Sequence, residues 1–317
     1  MTTTTVDLLR PPAERWNLTA LQLEQAAQLM AAYGKDLNLP PHLTQMLAAA
    51  AEGFIRPDHW HELQALASTS NVPLTSAIIG NLYYDLSKVV LNQMLGCTAF
   101  AVETGTGILH ARNLDWWTEN AMLARYTMVT NFTGAQAGDF TAIGWPGFIG
   151  AFSGVAHGRF AVTLNAVLSM DPPQLASPVV FLMRTVLEEA PTYEAALEAL
   201  AETPIPCDCL LLLTGTRPGE IAVIERTPSR HAIRSSRNGF ISVTNGYLQL
   251  DAKGSTAPSA LMGSSCSRLD HITAMVQAAR PRDPETCLDC LSDSAVRMDM
   301  TVQQMVFNAS TGEHWLR

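Results

Sequence analysis

Charge is scarce in this chain. Asp, Glu, Lys and Arg make up 15% of its 317 residues, with 20 basic against 29 acidic side chains and a formal net charge of −9. No run or stripe of Lys and Arg interrupts that acidic balance, which argues against a nucleic-acid footprint and against polyanions as partners. Long apolar runs are missing as well: no stretch approaches the roughly eighteen uninterrupted apolar residues of a membrane span. Met1 to Trp16 holds Thr2 to Thr5, Asp7, Pro11, Pro12 and Glu14, so the basic start and apolar run of a secretory signal are absent. Cysteine is sparse: Cys97, Cys207, Cys209, Cys266, Cys287 and Cys290. Without an export signal these read as reduced thiols, and the cytoplasm is the expected compartment. No internal repeat, low-complexity tract or separating linker divides the chain.

What is present is ample core material. Apolar residues reach 47%, a globular balance far from disorder. The length suits one large domain or two ordinary ones.

The segment before Gly96 reads as helical. Thr19 followed by Gln22 has capping-box spacing at the head of a helical run from Leu21 to Tyr33. Pro40-Pro41 breaks the chain, His42 to Phe54 forms a second helix, and Trp60 to Leu66 a short third. Pro73 opens a fourth, Leu74 to Leu91, apolar around most of its circumference and therefore expected to be buried. At Gly96 the pattern changes to short alternating runs. Cys97 to Val102 and Gly107 to Leu114 form a hairpin through Glu103-Thr104-Gly105-Thr106. Further strands are expected at Arg125–Asn131, Phe140–Ile143 and Arg159–Val167, then helices at Pro178–Glu189 and Tyr193–Glu202. Strands recur at Cys209–Thr214, Ile221–Arg226, His231–Arg234 and Phe240–Val243. Helices at Ala257–Ala279 and Pro284–Leu291 precede a closing strand, Thr301–Asn308. This order suits an α+β fold with sheets sandwiched between helical layers.

Cys97 opens the first strand of the hairpin, and Arg112-Asn113-Leu114-Asp115 lies on the returning strand. The hairpin brings Arg112 and Asp115 near Cys97 without any long-range assumption. A guanidinium beside a thiol favours the thiolate, and a carboxylate can hold an ammonium group. Taken singly, each residue has a plainer reading. A lone cysteine is usually a small buried hydrophobe, and Arg112 with Asp115 an ordinary surface pair. Asn245 in Thr-Asn-Gly suits a turn. Asn165 suits a satisfied core amide, and Arg268 a solvated helix face.

Their order along the chain points further. Cys97-Thr98-Ala99 and His110-Ala111-Arg112-Asn113-Leu114-Asp115 resemble the start of the catalytic subunit in the acid ceramidase and N-acylethanolamine acid amidase family. Choloylglycine hydrolases and penicillin V acylases share the Cys, Arg and Asp more distantly. Gly147 to Gly154, Thr163-Leu164-Asn165, Phe181 to Glu188, Tyr193-Glu194-Ala195, Val243-Thr244-Asn245 and Arg268 are similar to later segments of the same family, from about residue 60 to 270. Two departures stand out. Ala166 occupies a position where acid ceramidases have glutamate, and Gly246-Tyr247 follow Asn245 where the lysosomal enzymes have Tyr then Asp.

The resemblance implies a four-layer αββα sandwich of the N-terminal-nucleophile hydrolase type, with an N-terminal helical segment (1–96) and a catalytic part (97–317) in one structural unit. It implies self-cleavage between Gly96 and Cys97, giving a heterodimer of the two fragments. The freed α-amine of Cys97, with an ordinary pKa of roughly 7.7–8.0, then serves as general base to its own thiol. Asp115 would orient that amine and Arg112 would meet the thiolate or the substrate carbonyl. Asn245, helped by Asn165, would donate to the oxyanion, and Arg268 would support the site electrostatically. Trp116, Trp117, Trp145 and Phe148 flank these residues and are expected to form an apolar acyl pocket.

The expected activity is hydrolysis of a linear amide in a small N-acyl substrate, fatty acyl or ceramide-like, through an acyl-cysteine and with no cofactor or metal. Two alternatives stay open: acyl transfer to an amine acceptor, and an unprocessed binding protein of the same fold. The apolar helix after Pro73 suits either core packing or transient lipid contact. Cys207/Cys209 and Cys287/Cys290 do not complete a zinc site, and His59-Trp60-His61 reads as a helix start.

Overall fold

Two β-sheets lie face to face in the computed structural model, which describes residues 1–87, 96–116, 118–250 and 260–317. Trp117, residues 88–91 of the expected fourth helix and residues 257–259 of the expected Ala257–Ala279 helix lie outside the described residues. In chain order the N-terminal elements are β1 (Thr2–Asp7), α1 (Ala20–Leu37), α2 (Pro41–Ala51), α3 (Pro57–Thr69), α4 (Leu74–Asn81) and α5 (Tyr83–Leu86). There follow β2 (Gly96–Thr104), β3 (Gly107–Asp115), α6 (Met122–Arg125), β4 (Met128–Thr133), β5 (Phe140–Gly144), β6 (Ser153–Ala156) and β7 (Phe160–Asn165). Then come α7 (Val179–Glu189), α8 (Tyr193–Glu202), β8 (Cys209–Thr214), β9 (Ile221–Arg226), β10 (His231–Ser235) and β11 (Phe240–Val243). The chain closes with α9 (Ala260–Ala278), α10 (Pro284–Ser292), β12 (Thr301–Asn308) and β13 (Glu313–Leu316).

One sheet has eight strands in the order β1-β4-β5-β6-β7-β8-β9-β10, and the other five in the order β11-β2-β3-β12-β13. Helices α7 and α8 pack on the first sheet, α9 and α10 on the second, and β2 and β3 touch β7 and β8 across the middle. The result is the expected αββα layering. Strand periodicity builds it, because successive side chains point to opposite faces. On β2, Ala99 and Ala101 join Leu210, Leu212 and Val223 between the sheets. Phe100 and Val102 point the other way, onto Ile272, Val276, Leu288 and Leu291 of α9 and α10.

Several elements depart from the sequence reading. The chain begins with a strand: β1 pairs parallel with β4, Thr2 opposite Met128 through Asp7 opposite Thr133. Residues Arg125 to Thr127 are not strand, since α6 ends at Arg125 and β4 begins at Met128. The fourth helix is broken at Leu82, whose φ of −93° and ψ of 4° end α4 before α5 starts. Thr301–Asn308 does not close the fold, because β13 returns antiparallel to it. The capping box at Thr19 forms as expected, with the Gln22 side chain accepting from the Thr19 amide.

The N-terminal helices share the core of the rest. Leu29, Met30, Tyr33, Ile78 and Tyr83 belong to one apolar cluster with Trp145, Phe152, Phe181 and Leu187. A buried charge network joins the same parts: Arg184 of α7 donates to both oxygens of Glu62 of α3, at 2.6 and 2.7 Å, and to Glu188 at 2.8 Å. Arg15 and Trp16 add donors to Glu62 at 2.9 and 2.6 Å. Every lone-pair direction of that buried carboxylate is thus served, which a buried ion pair requires. No described helix is long and apolar enough to cross a membrane.

Candidate active site

Cys97 sits in β2 with its neighbours chosen by pairing register. Gly96 lies opposite Asp115, and Ala99 opposite Arg112. Cys97 has the same parity as Ala99 and Ala101, and Arg112 the same parity as His110 and Ile108. The thiol and the guanidinium therefore meet between the two sheets. Arg112 is wholly buried and Cys97 is 2% exposed. Arg112 Nη2 donates to Cys97 Sγ at 3.4 Å and to the carbonyl of Leu164 on β7; Nη1 donates to the Phe152 carbonyl at 3.0 Å and to Ser153 Oγ. Both ends of the fork are tied to the eight-stranded sheet, so the guanidinium plane has no freedom to turn away from the sulfur.

The backbone around Cys97 is held from the other side. Its N–H donates to Asn245 Oδ1 at 3.1 Å. Its carbonyl accepts from Arg268 Nη1 at 2.7 Å, which also reaches Thr98 Oγ1 at 2.7 Å, while Nη2 donates to Asn245 Oδ1 at 2.9 Å. Ser264, one helical turn before Arg268, accepts from its Nε at 3.1 Å. Ser265 accepts from the Asn245 amide at 2.9 Å. The Asn245 side-chain nitrogen donates to the Ala166 carbonyl at 2.8 Å, and that of Asn165 donates to the Thr244 carbonyl at 2.9 Å. Both side-chain donors expected for an oxyanion are thus engaged by backbone carbonyls in this structure.

Asp115 is fully buried. Its Oδ1 accepts from Thr301 Oγ1 at 2.6 Å, whereas its Oδ2 has no hydrogen-bond partner among the described residues. Arg268 Nη1 stands 4.0 Å from that oxygen. Burial pushes the Asp115 carboxyl above its ordinary range, opposed by the Thr301 hydroxyl and the charges of Arg268 and Arg112. Burial pulls Arg268 down, against the attraction of Asp115. A side chain on Gly96 would be crowded here, since a Cβ would stand 3.2 Å from Asp115 Oδ2. The orphaned oxygen therefore faces the residue just before Cys97.

All six residues expected at the site (Cys97, Arg112, Asp115, Asn165, Asn245 and Arg268) converge. Three of the four expected pocket residues adjoin them in an aromatic cluster; the fourth, Trp117, is undescribed. Trp116 meets Trp145 and Phe152 edge to face at centroid distances of 6.0 and 5.2 Å, and Phe148 stacks on Phe152 at 5.0 Å. Tyr83 packs on Trp116 at 5.4 Å. A surface groove between β10, β11 and α9 is lined by none of these residues.

Sequence reasoning missed Asn245 as the acceptor for the Cys97 nitrogen, and Arg268 as a direct donor to the Cys97 carbonyl. It also missed Thr301, Ser153 and Ser265. Only Ser264 left a legible signal, its i−4 spacing from Arg268 on one helix.

Comparison with known proteins agrees with this arrangement. Residues 102–304 match the family model described as acyl-coenzyme A:6-aminopenicillanic acid acyl-transferase. The chain belongs to this family. The matched stretch begins within β2, after Cys97, and runs into β12. Among curated members of the wider group, the chain is 25% identical over 254 residues to an acid ceramidase from Balaenoptera acutorostrata scammoni, covering 70% of this chain and 62% of that protein. It is 29% identical over 236 residues to an N-acylethanolamine-hydrolyzing acid amidase from Cavia porcellus, covering 70% of this chain and 64% of the relative. The chain therefore spans less than two thirds of the length of these relatives. The solved Caenorhabditis elegans N-acylethanolamine-hydrolyzing acid amidase ortholog superposes with a TM-score of 0.56 at 21% identity, covering 70% of this chain and all of that one. That likeness shows a shared fold, in keeping with the αββα layering of the two sheets.

Proposed function

We propose that this chain cuts its own Gly96–Cys97 bond and then works as a cysteine amidase on small N-acyl amides. The observation that carries the reading is the hold on Cys97. A buried thiol lies 3.4 Å from a locked guanidinium, and the nitrogen and carbonyl of the same residue are gripped by Asn245 and Arg268.

In the first step the Cys97 sulfur adds to the Gly96 carbonyl carbon. The C–N bond then breaks, and the thiol proton ends on the departing nitrogen. The resulting thioester takes up water, giving a Gly96 carboxylate and restoring the thiol. Cys97 then carries both nucleophile and base, because its new α-amine accepts the thiol proton during attack on substrate. The substrate carbonyl becomes an acyl-cysteine as the amine half leaves with that proton, and water releases the acid. Asp115 orients the amine with its free oxygen. Arg112 faces the sulfur, Asn245 and Asn165 supply oxyanion donors, and Arg268 steadies Asn245. Residues 1–96 stay bound to residues 97–317 through the shared core and the Glu62–Arg184 pair.

Trp116, Trp145 and Phe148 favour an apolar acyl group. The named activities of the ceramidase and acylethanolamine amidase relatives support fatty N-acyl amides. A second reading follows from the acyl-transferase family model: an amine instead of water resolves the thioester. Purified protein incubated with an N-acylethanolamine or a ceramide, with and without an acceptor amine, separates the two. Hydrolysis predicts free fatty acid at a rate indifferent to the acceptor; transfer predicts a new amide that grows with it. An unprocessed chain that binds these amides without turning them over would overturn both.

A further inference from the structure

One turn touches both the residue before Cys97 and the carboxylate beside it. The Thr301 amide donates to the Met298 carbonyl at 3.0 Å and the Met298 amide donates to Thr301 Oγ1 at 3.1 Å, closing Met298–Thr301 into a tight turn just before β12. Met300, inside that turn, accepts from the Trp116 amide at 2.9 Å, so the turn is pinned to the end of β3. The β12–β3 register then slips. Thr301 pairs with Asp115 and Gln303 with Leu114, leaving Val302 as an extra residue. Such a bulge re-aims side chains at the end of a ladder. Here its neighbour Thr301 donates to Asp115 Oδ1 at 2.6 Å. At the turn's other end, a Cβ on Gly96 would come within 2.8 Å of Met298 Sδ and 3.1 Å of Asp115 Cβ.

We propose that the Met298–Thr301 turn is the positioning device for self-cleavage: Met298 crowds the space that a side chain before Cys97 would need, and Thr301 occupies one oxygen of Asp115 so that the other faces the Cys97 nitrogen as it gains its proton and leaves. This rests on the self-cleaving amidase reading and adds two positioning residues to it. The logic is one of donor counting. A buried carboxylate presents acceptors on both oxygens. With Oδ1 satisfied by a hydroxyl, Oδ2 is the oxygen left, among the described residues, to accept from the Cys97 nitrogen as it gains its proton during cleavage. The Met298 thioether crowds the same space beside Gly96.

The test follows self-cleavage by intact mass over time in freshly made full-length chain, and amide turnover in the cleaved fraction. Thr301→Val removes the hydroxyl while keeping shape; its expected result is cleavage slowed about tenfold or more, the effect of losing a hydrogen bond to a charged group. Its cleaved fraction should show reduced kcat with KM unchanged. Thr301→Ser restores the hydroxyl and should return both rates to near wild type, which a merely structural threonine would not require. Gly96→Ala should stall cleavage, and adding Met298→Ala should relieve the stall in part, with Asp115 Cβ still crowding the new methyl. Melting curves of Thr301→Val in a Cys97→Ala chain report folding independently. If that chain fails to fold, the Gly96→Ala and Met298→Ala arm decides alone. Wild-type cleavage in Thr301→Val, or a stall in Gly96→Ala that Met298→Ala leaves untouched, overturns the assignment. Cys97→Ala runs alongside: if it also cleaves, the self-cleaving reading itself falls, whatever the turn variants do.

Discussion

The side-chain oxygen of Asn245 accepts the backbone N–H of Cys97 at 3.1 Å. Arg268 donates to the same oxygen at 2.9 Å, and the amide nitrogen donates to the Ala166 carbonyl at 2.8 Å. Two donors converging on one atom require it to be the oxygen. On the proposed self-cleaving reading, Asn245 steadies the nitrogen of the bond to be broken. On the same reading its other end becomes the oxyanion donor of the amidase.

Asn245→Asp separates those roles. It keeps the acceptor and loses the donor. Self-cleavage should proceed, while amide turnover should fall about 10²–10³-fold, the usual effect of removing an oxyanion donor. Comparing the cleavage time course with kcat in the cleaved product checks it; equal losses in both would contradict the division.

Arg112→Lys should be far from conservative. The guanidinium spans the Phe152 and Leu164 carbonyls, Ser153 and the sulfur at once. A single ammonium cannot meet that fork. We expect kcat/KM to fall about 10–100-fold and the melting temperature to drop, because each orphaned buried acceptor costs about 1–3 kcal/mol. Steady-state kinetics and a thermal melt measure both.

Arg184→Met breaks the ion pair between α7 and Glu62 of α3. Removing one partner of a buried pair should destabilise by about 3–5 kcal/mol, read by urea unfolding of the uncleavable Cys97→Ala chain. The pH dependence has a definite sign. Glu188, beside Arg184, is held down to about 2 by the neighbouring charges, against the opposing effect of burial. A carboxyl with a depressed folded value contributes stability above its unfolded value and loses it as pH falls. Stability should therefore decline from about pH 4.5 toward about pH 2, and less steeply in Arg184→Met.

Asp85 should act in the opposite direction. Its Oδ1 accepts from the Val179 amide at the head of α7 at 3.2 Å and from the Cys207 thiol at 3.4 Å. Burial pushes its carboxyl up to about 6. A raised acid favours the folded state below its unfolded value, and the benefit fades as pH rises through about 6. Asp85→Asn keeps the acceptor and removes the charge. The stability difference between variant and parent should move in the variant's favour from pH 4 to pH 7.5; a flat difference would contradict the account.

Much of this was legible because it is local. The Cys97–Asp115 hairpin follows from alternation around Gly105, and α8, β8, β9, β11 and β12 match the expected boundaries. What was illegible depends on distant partners. Thr2–Asp7 is too polar to look like a strand and becomes one only because the edge of β4 lies free beside it. Ser153–Ala156 is small and glycine-bearing, and it pairs because Leu187 of α7 packs against Gly154. At the site, the order of Cys97, Arg112, Asp115, Asn245 and Arg268 could be read from the family resemblance. Thr301 could not, since its hydroxyl finds Asp115 only through a bulge in β12.

The central claim is tested most directly by the intact mass of the purified protein, with N-terminal sequencing of its larger fragment. The account predicts two chains, residues 1–96 and 97–317, the second beginning Cys-Thr-Ala-Phe and active on N-acyl amides. Active protein in which residue 97 is still joined to Gly96 would contradict it.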